Sequence, residues 1–342
     1  MNLPRKIASL ELARVIALLA IVFIHVKPFM DYALISDEPW LNFISNQLAR
    51  FAVPIFFIIS GYLIQPKLIK SPWETAKSYS VPLIKIWVVW SIVSLAMPFN
   101  LGVVIEHGYL AERQGYWDFL LSTPLNSFLE GGLVHLWFIP SLVIAVYLIA
   151  ALIATRAMTM LVPVAIVLYL YGVLAGSYQV VTELNPPFFT RNGPFFSLLM
   201  VVIGFEIKRH SYQVSSKHAI LLALGGMVLH FVEAAVLHEY GQTFHNNDFL
   251  IGTALWGTGI FFWLLNNPTM GDKPWVHHLA QWVLPIYAIH LILMIVMFNV
   301  AGILEWQGLA KDCLAFFGSL TLSYLFARAL AKTPLSFSVQ RS

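Results

Sequence analysis

Apolar residues run along this chain in stretches of about twenty, separated by short polar breaks. Ten such stretches are readable: 8–28, 44–66, 79–99, 134–154, 157–176, 190–207, 218–238, 248–266, 278–301 and 312–332. A helix rising ~1.5 Å per residue needs about twenty residues to cross a ~30 Å hydrocarbon layer. Inside lipid the backbone must satisfy its own hydrogen bonds, which makes the helix the natural spanning element. The short alternating segments of a membrane β-barrel are absent. The breaks carry turn chemistry or charge, as at Pro66-Lys67, Asn185-Pro186-Pro187 and Asn266-Asn267-Pro268. The fourth and fifth stretches are so close that they form a tight hairpin or share a displaced boundary. The pattern predicts an all-α integral membrane bundle of about ten transmembrane helices.

Composition agrees. Charged residues are 11% of the 342, against roughly 25% in soluble domains. Apolar residues are 59%, and mean hydropathy is +0.76. A soluble fold of this size would lack a charged skin. The whole chain, 1–342, reads as one polytopic domain with no soluble domain, since the longest loop, about 100–133, is too short to fold alone. Net charge is only +3, and no basic run suggests nucleic acid. Cys313 is the lone cysteine, which excludes an internal disulfide and cysteine metal sites. Arg5 and Lys6 before an apolar run resemble a signal peptide, but Arg14 and His25 interrupt that run and no small-residue cleavage site follows. It reads as the first permanent span.

Charge bias orients the bundle. With a cytoplasmic N-terminus, thirteen basic residues fall on cytoplasmic segments or span ends: Arg5, Lys6, Lys67, Lys70, Lys77, Arg156, Lys208, Arg209, Lys217, Lys273, Arg328, Lys332 and Arg341. Only Arg113 and Lys311 fall outside, and Arg14, Lys27, Arg50, Lys85 and Arg191 lie within or at the rim of spans. An even number of spans with both termini cytoplasmic follows, and eight or twelve would fit as well as ten.

Ionised groups in hydrocarbon cost several kcal/mol and normally face a cavity or a partner. Glu11, Arg14 and His25 interrupt span one. Arg14 and His25 are eleven residues apart, which brings them within about 20° of one another around the helix and separates them by roughly 16 Å along it. One stripe therefore carries a cation at an inner level and an imidazole at an outer level. Imidazole suits proton transfer near neutral pH, or nucleophilic attack. The bland alternative has His25 bonding a neighbouring helix and Arg14 snorkelling to the interface.

Other polar groups sort by depth. Arg50, His135, Trp137, Arg191, Asn192, His230, Glu233 and Asp248 fall toward the outside, Tyr287 and His290 near mid-membrane, and Ser60, Gly61, Tyr62 and Lys85 toward the inside. They suggest a polar outer cavity joined to an inner entrance lined by Arg14 and Lys85. Arg191 and Asp248 could equally mark interfaces, Glu233 could pair with a cation, and Trp137, Trp256 and Trp282 could be packing aromatics. His107, His210, His218, His238, His245, His277 and His278 read as solvated loop or rim residues. No pair has a convincing ligand spacing within one helix, so no metal is expected.

The stretch Leu10-Glu11-Leu12-Ala13-Arg14, with His25 eleven residues on, resembles the Arg-X10-His signature of membrane acyltransferase family 3. That family includes O-acetyltransferases of bacterial surface polysaccharides. The likeness continues at Val53–Leu63, His135–Pro140, Arg191–Phe196 and Pro285–His290. Val15 stands where the family commonly has Gly or Ala, and Glu11 where Asp is frequent, so no charge is lost. The resemblance implies acyl-CoA, chiefly acetyl-CoA, as a cytoplasmic donor substrate and no permanently bound cofactor. It implies a lipid-linked or polymeric surface glycan as acceptor, in the cytoplasmic membrane of a bacterium. His25 would take the acceptor proton or briefly carry the acyl group, with Arg14 orienting the donor. Arg14, Lys85, Ser60 and Tyr62 are assigned to the donor. Glu11, Arg50, His135, Trp137, Arg191, Asn192, Glu233, Asp248, Tyr287 and His290 are assigned to the acceptor.

Two other classes remain. Intramembrane His, Glu and Arg also build proton-coupled transporters of small polar solutes, although no internal symmetry or paired broken helices are visible. A structural subunit of an envelope complex would tolerate substitution at Arg14 and His25.

Overall fold

The structure, a computed structural model, describes residues 7–33 and 37–340. Regular structure among the described residues is helical, without strands. Eight helices are long and apolar enough to cross a membrane. They are α1 (Ala8–Val26), α2 (Trp40–Lys70), α3 (Pro72–Ala96), α4 (Val134–Ala154), α5 (Met158–Ala175), α7 (Ser216–Glu239), α9 (Pro274–Ile303) and α10 (Gly308–Leu330). Two more, α6 (Pro194–His210) and α8 (Ile251–Asn266), match the sixth and eighth apolar stretches but have only 17 and 16 residues. The expectation of ten spans thus meets eight helices of full length. Arg5, Lys6 and Arg341, used to orient the chain, lie outside the described residues.

The two short helices are held by the closest backbone contacts in the bundle. A Cβ on Gly204 of α6 would lie 1.9 Å from the Ile58 carbonyl oxygen of α2, and one on Gly61 of α2 would lie 1.9 Å from that of Val201. The α7–α8 pair meets in the same way over Gly226, Gly252 and Gly259, each with a neighbouring backbone nitrogen 2.3 Å from the missing Cβ. Lipid tails are as apolar as leucine, so helices in a membrane associate through such close packing rather than by hydrophobic exclusion. A helix surrounded by protein in this way need not match the full hydrocarbon thickness.

The outer helices are apolar on both faces. On α3, Leu83, Ile86 and Trp90 are buried while Val81, Ile84, Val88, Ile92 and Leu95 are exposed at three- and four-residue spacing, as lipid contact requires. The α4–α5 connection is the tight hairpin, turned through Arg156 at φ 59°. The loop expected over 100–133 instead contains three short helices, Leu101–His107, Tyr109–Ser122 and Pro124–Glu130. They are anchored by Arg113, which is fully buried, bonds Glu112 at 2.5 Å and lies 4.4 Å over the Phe99 ring.

The glycine contacts set a stability contrast. Gly204→Ala should lower the thermal midpoint of the detergent-solubilised protein, since overpacking costs about 1–3 kcal/mol. Gly225→Ala, with nothing within 4 Å of the new Cβ, should leave it equal or raise it. Equal midpoints for the two variants would contradict the packing described.

Candidate functional site

Two cavities lie inside the bundle, one at each end of α1. The first, about 370 Å³, is lined by Glu11, Arg14, Ser60, Tyr79, Gln281 and Gln340 among largely apolar walls. The second, about 230 Å³, is lined by His25, Lys27, Asn46, Arg50, His135, Trp137, Arg191, His245 and Asp248. Ile21, Phe138 and Tyr287 line both. These three side chains stand between the two spaces, with Arg14 on one side and His25 on the other.

Helical spacing explains the lining. Phe56, Ile59, Ser60 and Leu63 of α2 form one stripe at i, i+3, i+4 and i+7 facing the Arg14-end cavity. Tyr62 stands two residues from Ser60, on another face, and packs against Phe261 and the Lys208 ammonium instead. On α3, Leu83 lines the cavity, whereas Lys85, two residues on, lies exposed beside the lipid-facing stripe. Tyr62 and Lys85, expected with Arg14 and Ser60 at the donor, therefore do not line this cavity. Glu11 moves too. It lies in the Arg14-end cavity and bonds Nδ1 of His277, whose Nε2 bonds Asp272 at 2.7 Å. His277 is thus held between two carboxylates at the solvated rim.

The His25-end cavity is ringed by ion pairs. Asp248 accepts from Arg50 Nη1 at 2.7 Å and from Arg191 Nη1 at 2.8 Å, and Arg191 Nη2 donates to Glu130 at 2.7 Å. Arg50 also donates to the His245 carbonyl at 2.8 Å. Asp248 lies between α7 and α8. Burial pushes its carboxyl up, but Arg191 and Arg50 outweigh this and hold it below the usual carboxylate value. Asn192 is buried behind this ring, bonded to Asn126 and Glu130, and does not reach the cavity.

Glu233, expected at the acceptor, does not line the His25-end cavity. Its carboxylate accepts from the backbone of Ile251 and Gly252, at 3.1 and 2.8 Å, and from the Tyr178 hydroxyl at 2.8 Å. It caps the first turn of α8, where free N–H groups favour negative charge. His230 beside it is buried between Thr253 and Gln47. Both belong to the packing of α7 on α8.

Around His25 the structure assembles an imidazole cluster. The His135 and His290 ring centroids lie 6.4 and 5.4 Å from that of His25, and 5.0 Å from each other. His135 donates through Nε2 to the Ala288 carbonyl at 3.1 Å, and His290 through Nδ1 to the Tyr287 carbonyl at 2.7 Å. The Tyr287 hydroxyl donates to the His135 carbonyl. No group of three or more His, Cys, Asp or Glu among the described residues is arranged to hold a metal ion. His245, expected to be a solvated loop residue, is buried and lines this cavity, and Glu130, unassigned in the sequence, joins it through Arg191; both sit between the long helices and reach the site only through the tertiary fold. Lys27 and Asn46 lie within a turn of His25 and Arg50, and helical proximity was the available signal for them.

The family profile described as an acyltransferase domain matches residues 7–328. Among curated proteins, the chain is 23% identical over 94% of its length to an amino-acid racemase of Enterococcus faecalis, covering 45% of that protein. It is 26% identical over 72% of its length to a serine/alanine racemase of Enterococcus gallinarum, covering 35% of that one. The chain thus spans less than half the length of the curated relatives it matches. No solved structure matches.

Asp248→Asn should destabilise the folded bundle at neutral pH, by an amount on the order of 3 kcal/mol, and so lower its thermal midpoint, because two guanidinium groups lose their shared counter-charge. Because the carboxyl is held below its unfolded value, this stabilisation is full above about pH 4 and lost as pH falls through the folded value. The gap between wild type and variant should therefore close on acidification. A constant gap from pH 7 to pH 3 would contradict the arrangement.

Proposed function

The chain belongs to acyltransferase family 3, and from that premise we propose that it moves an acyl group, acetyl by preference, from acyl-CoA to a sugar hydroxyl across the membrane. The observation that carries the reading is the pair of cavities that share Ile21, Phe138 and Tyr287 as a wall, with Arg14 and His25 on opposite sides. A long, thin donor suits such a passage. Its anionic end stays with Arg14, and its pantetheine arm runs along the apolar walls toward His25. Tyr79, Gln281 and Gln340 offer polar contacts near the entrance. The acceptor enters from the other end, where Asn46, Arg50, Arg191, Asn246 and Asp248 supply mixed donors and acceptors beside Trp137. That mixture suits a hydroxyl-rich ligand such as a cell-envelope glycan.

In the reaction, the acceptor hydroxyl gives its proton to His25 as its oxygen bonds the thioester carbon. Arg50 lines the same cavity and stabilises the oxyanion that develops. The carbon–sulfur bond then breaks, and the departing sulfur takes the proton from His25. The products are an ester and free CoA. Lys67, Lys70, Lys77, Lys208 and Arg209 lie at or near helix ends on the Arg14 side, so this end faces the cytoplasm, with the bundle in the cytoplasmic membrane of a bacterium.

His25→Ala should abolish release of free CoA from acetyl-CoA by membranes of expressing cells, with no change in protein abundance. Transfer at a near-normal rate would remove His25 from the chemistry. Flux of an intact solute without CoA release would favour a transporter.

A further inference from the structure

His290 is fully buried on α9 and does not line either cavity. Its Nδ1 lies 2.7 Å from the Tyr287 carbonyl oxygen. A carbonyl can only accept, so Nδ1 carries the hydrogen, and in the neutral ring Nε2 is left with a bare lone pair. That Nε2 is buried and has no hydrogen-bond partner among the described residues. A buried acceptor left without a donor is costly, which makes it a feature to be explained. Two rings lie near His290: His135, 5.0 Å between centroids, whose own N–H is committed to the Ala288 carbonyl, and His25, at 5.4 Å and a 47° tilt, whose ring hydrogen is not. His135 presents the same chemistry through its bare Nδ1, but its ring lies farther from His25, at 6.4 Å and nearly edge-on.

We propose that His290 is a positioning residue for His25, its Nε2 accepting the N–H of His25 so that the other nitrogen of His25 is bare toward the passage. This rests on the reading of His25 as the base. A base imidazole needs one ring nitrogen free of hydrogen, and the partner of its second nitrogen decides which one that is. A carboxylate in this position would need a counter-cation inside an apolar bundle. A second imidazole, with its own tautomer fixed by a backbone carbonyl, does the same work without a buried charge. His25 then stands as the cavity-facing member of a two-histidine relay anchored in α9.

The test exploits the two amide isosteres of histidine. In His290→Asn the side-chain amide can replace Nδ1 and keep the bond to Tyr287, but nothing replaces Nε2. In His290→Gln the amide oxygen can occupy the position of Nε2. Membrane vesicles from cells expressing each full-length variant are supplied with acetyl-CoA, and release of free CoA is followed as a function of acetyl-CoA concentration. Asn and Ala should lower kcat by about 10²-fold with KM for acetyl-CoA unchanged, and Gln should restore it to within a few-fold of wild type. Retained activity in Asn with loss in Gln would show a purely structural role and overturn the proposal, as would equal tolerance of all three. His25→Ala serves as the control. Activity in that variant would overturn the underlying reading of His25 whatever the His290 series showed.

Discussion

A guanidinium enclosed by apolar helices must find a carboxylate or open onto water, because the low-dielectric surroundings make a lone charge too costly to bury. In this bundle both solutions occur at one place. Asp248 draws Arg50 and Arg191 together, Glu130 closes the outer side of Arg191, and the space they surround is the His25-end cavity. The ion pairs come from α2, the segment before α6, the segment before α8 and a short helix preceding α4. Four separated stretches of chain are thus held around one opening. The glycine contacts of α6 on α2 and of α8 on α7 bring those stretches near enough for the pairs to form.

The other end of α1 is built differently. Its cavity is larger and mostly apolar, with Arg14, Glu11, Tyr79 and Gln281 as polar points on a greasy wall. Glu11 is itself held by His277. A polar chamber and an apolar one, touching at Ile21, Phe138 and Tyr287, match the two partners of an acyl transfer. The proposed acceptor is hydroxyl-rich, and the proposed donor has a charged head and a flexible arm.

The helices were legible because each apolar stretch is long and its ends carry proline, asparagine or charge. The lengths of α6 and α8 were not, since they depend on which neighbours enclose them. Arg14 and His25 could be placed on one face because an eleven-residue spacing closes nearly three turns whatever surrounds the helix. Ser60 against Tyr62, and Leu83 against Lys85, could not be sorted by face. On α2 and α3 the apolar residues run all the way round, so no polar stripe marks which side meets a cavity. Glu233 looked like a ligand because a carboxylate at that depth demands a partner, and the partner proved to be the backbone at the start of α8. Glu130 and His245 could not be placed from the sequence because short segments between the spans have no long period to show which way they face.

Transfer as proposed needs a passage between Arg14 and His25. Its most direct test is a structure of the full chain with a non-hydrolysable acyl-CoA analogue. The predicted density has the nucleotide end at Arg14, the arm running past Ile21, Phe138 and Tyr287, and the acyl carbonyl beside the His25 ring. An analogue bound elsewhere, or one stopped on the Arg14 side with those three side chains closed in front of it, would contradict the account.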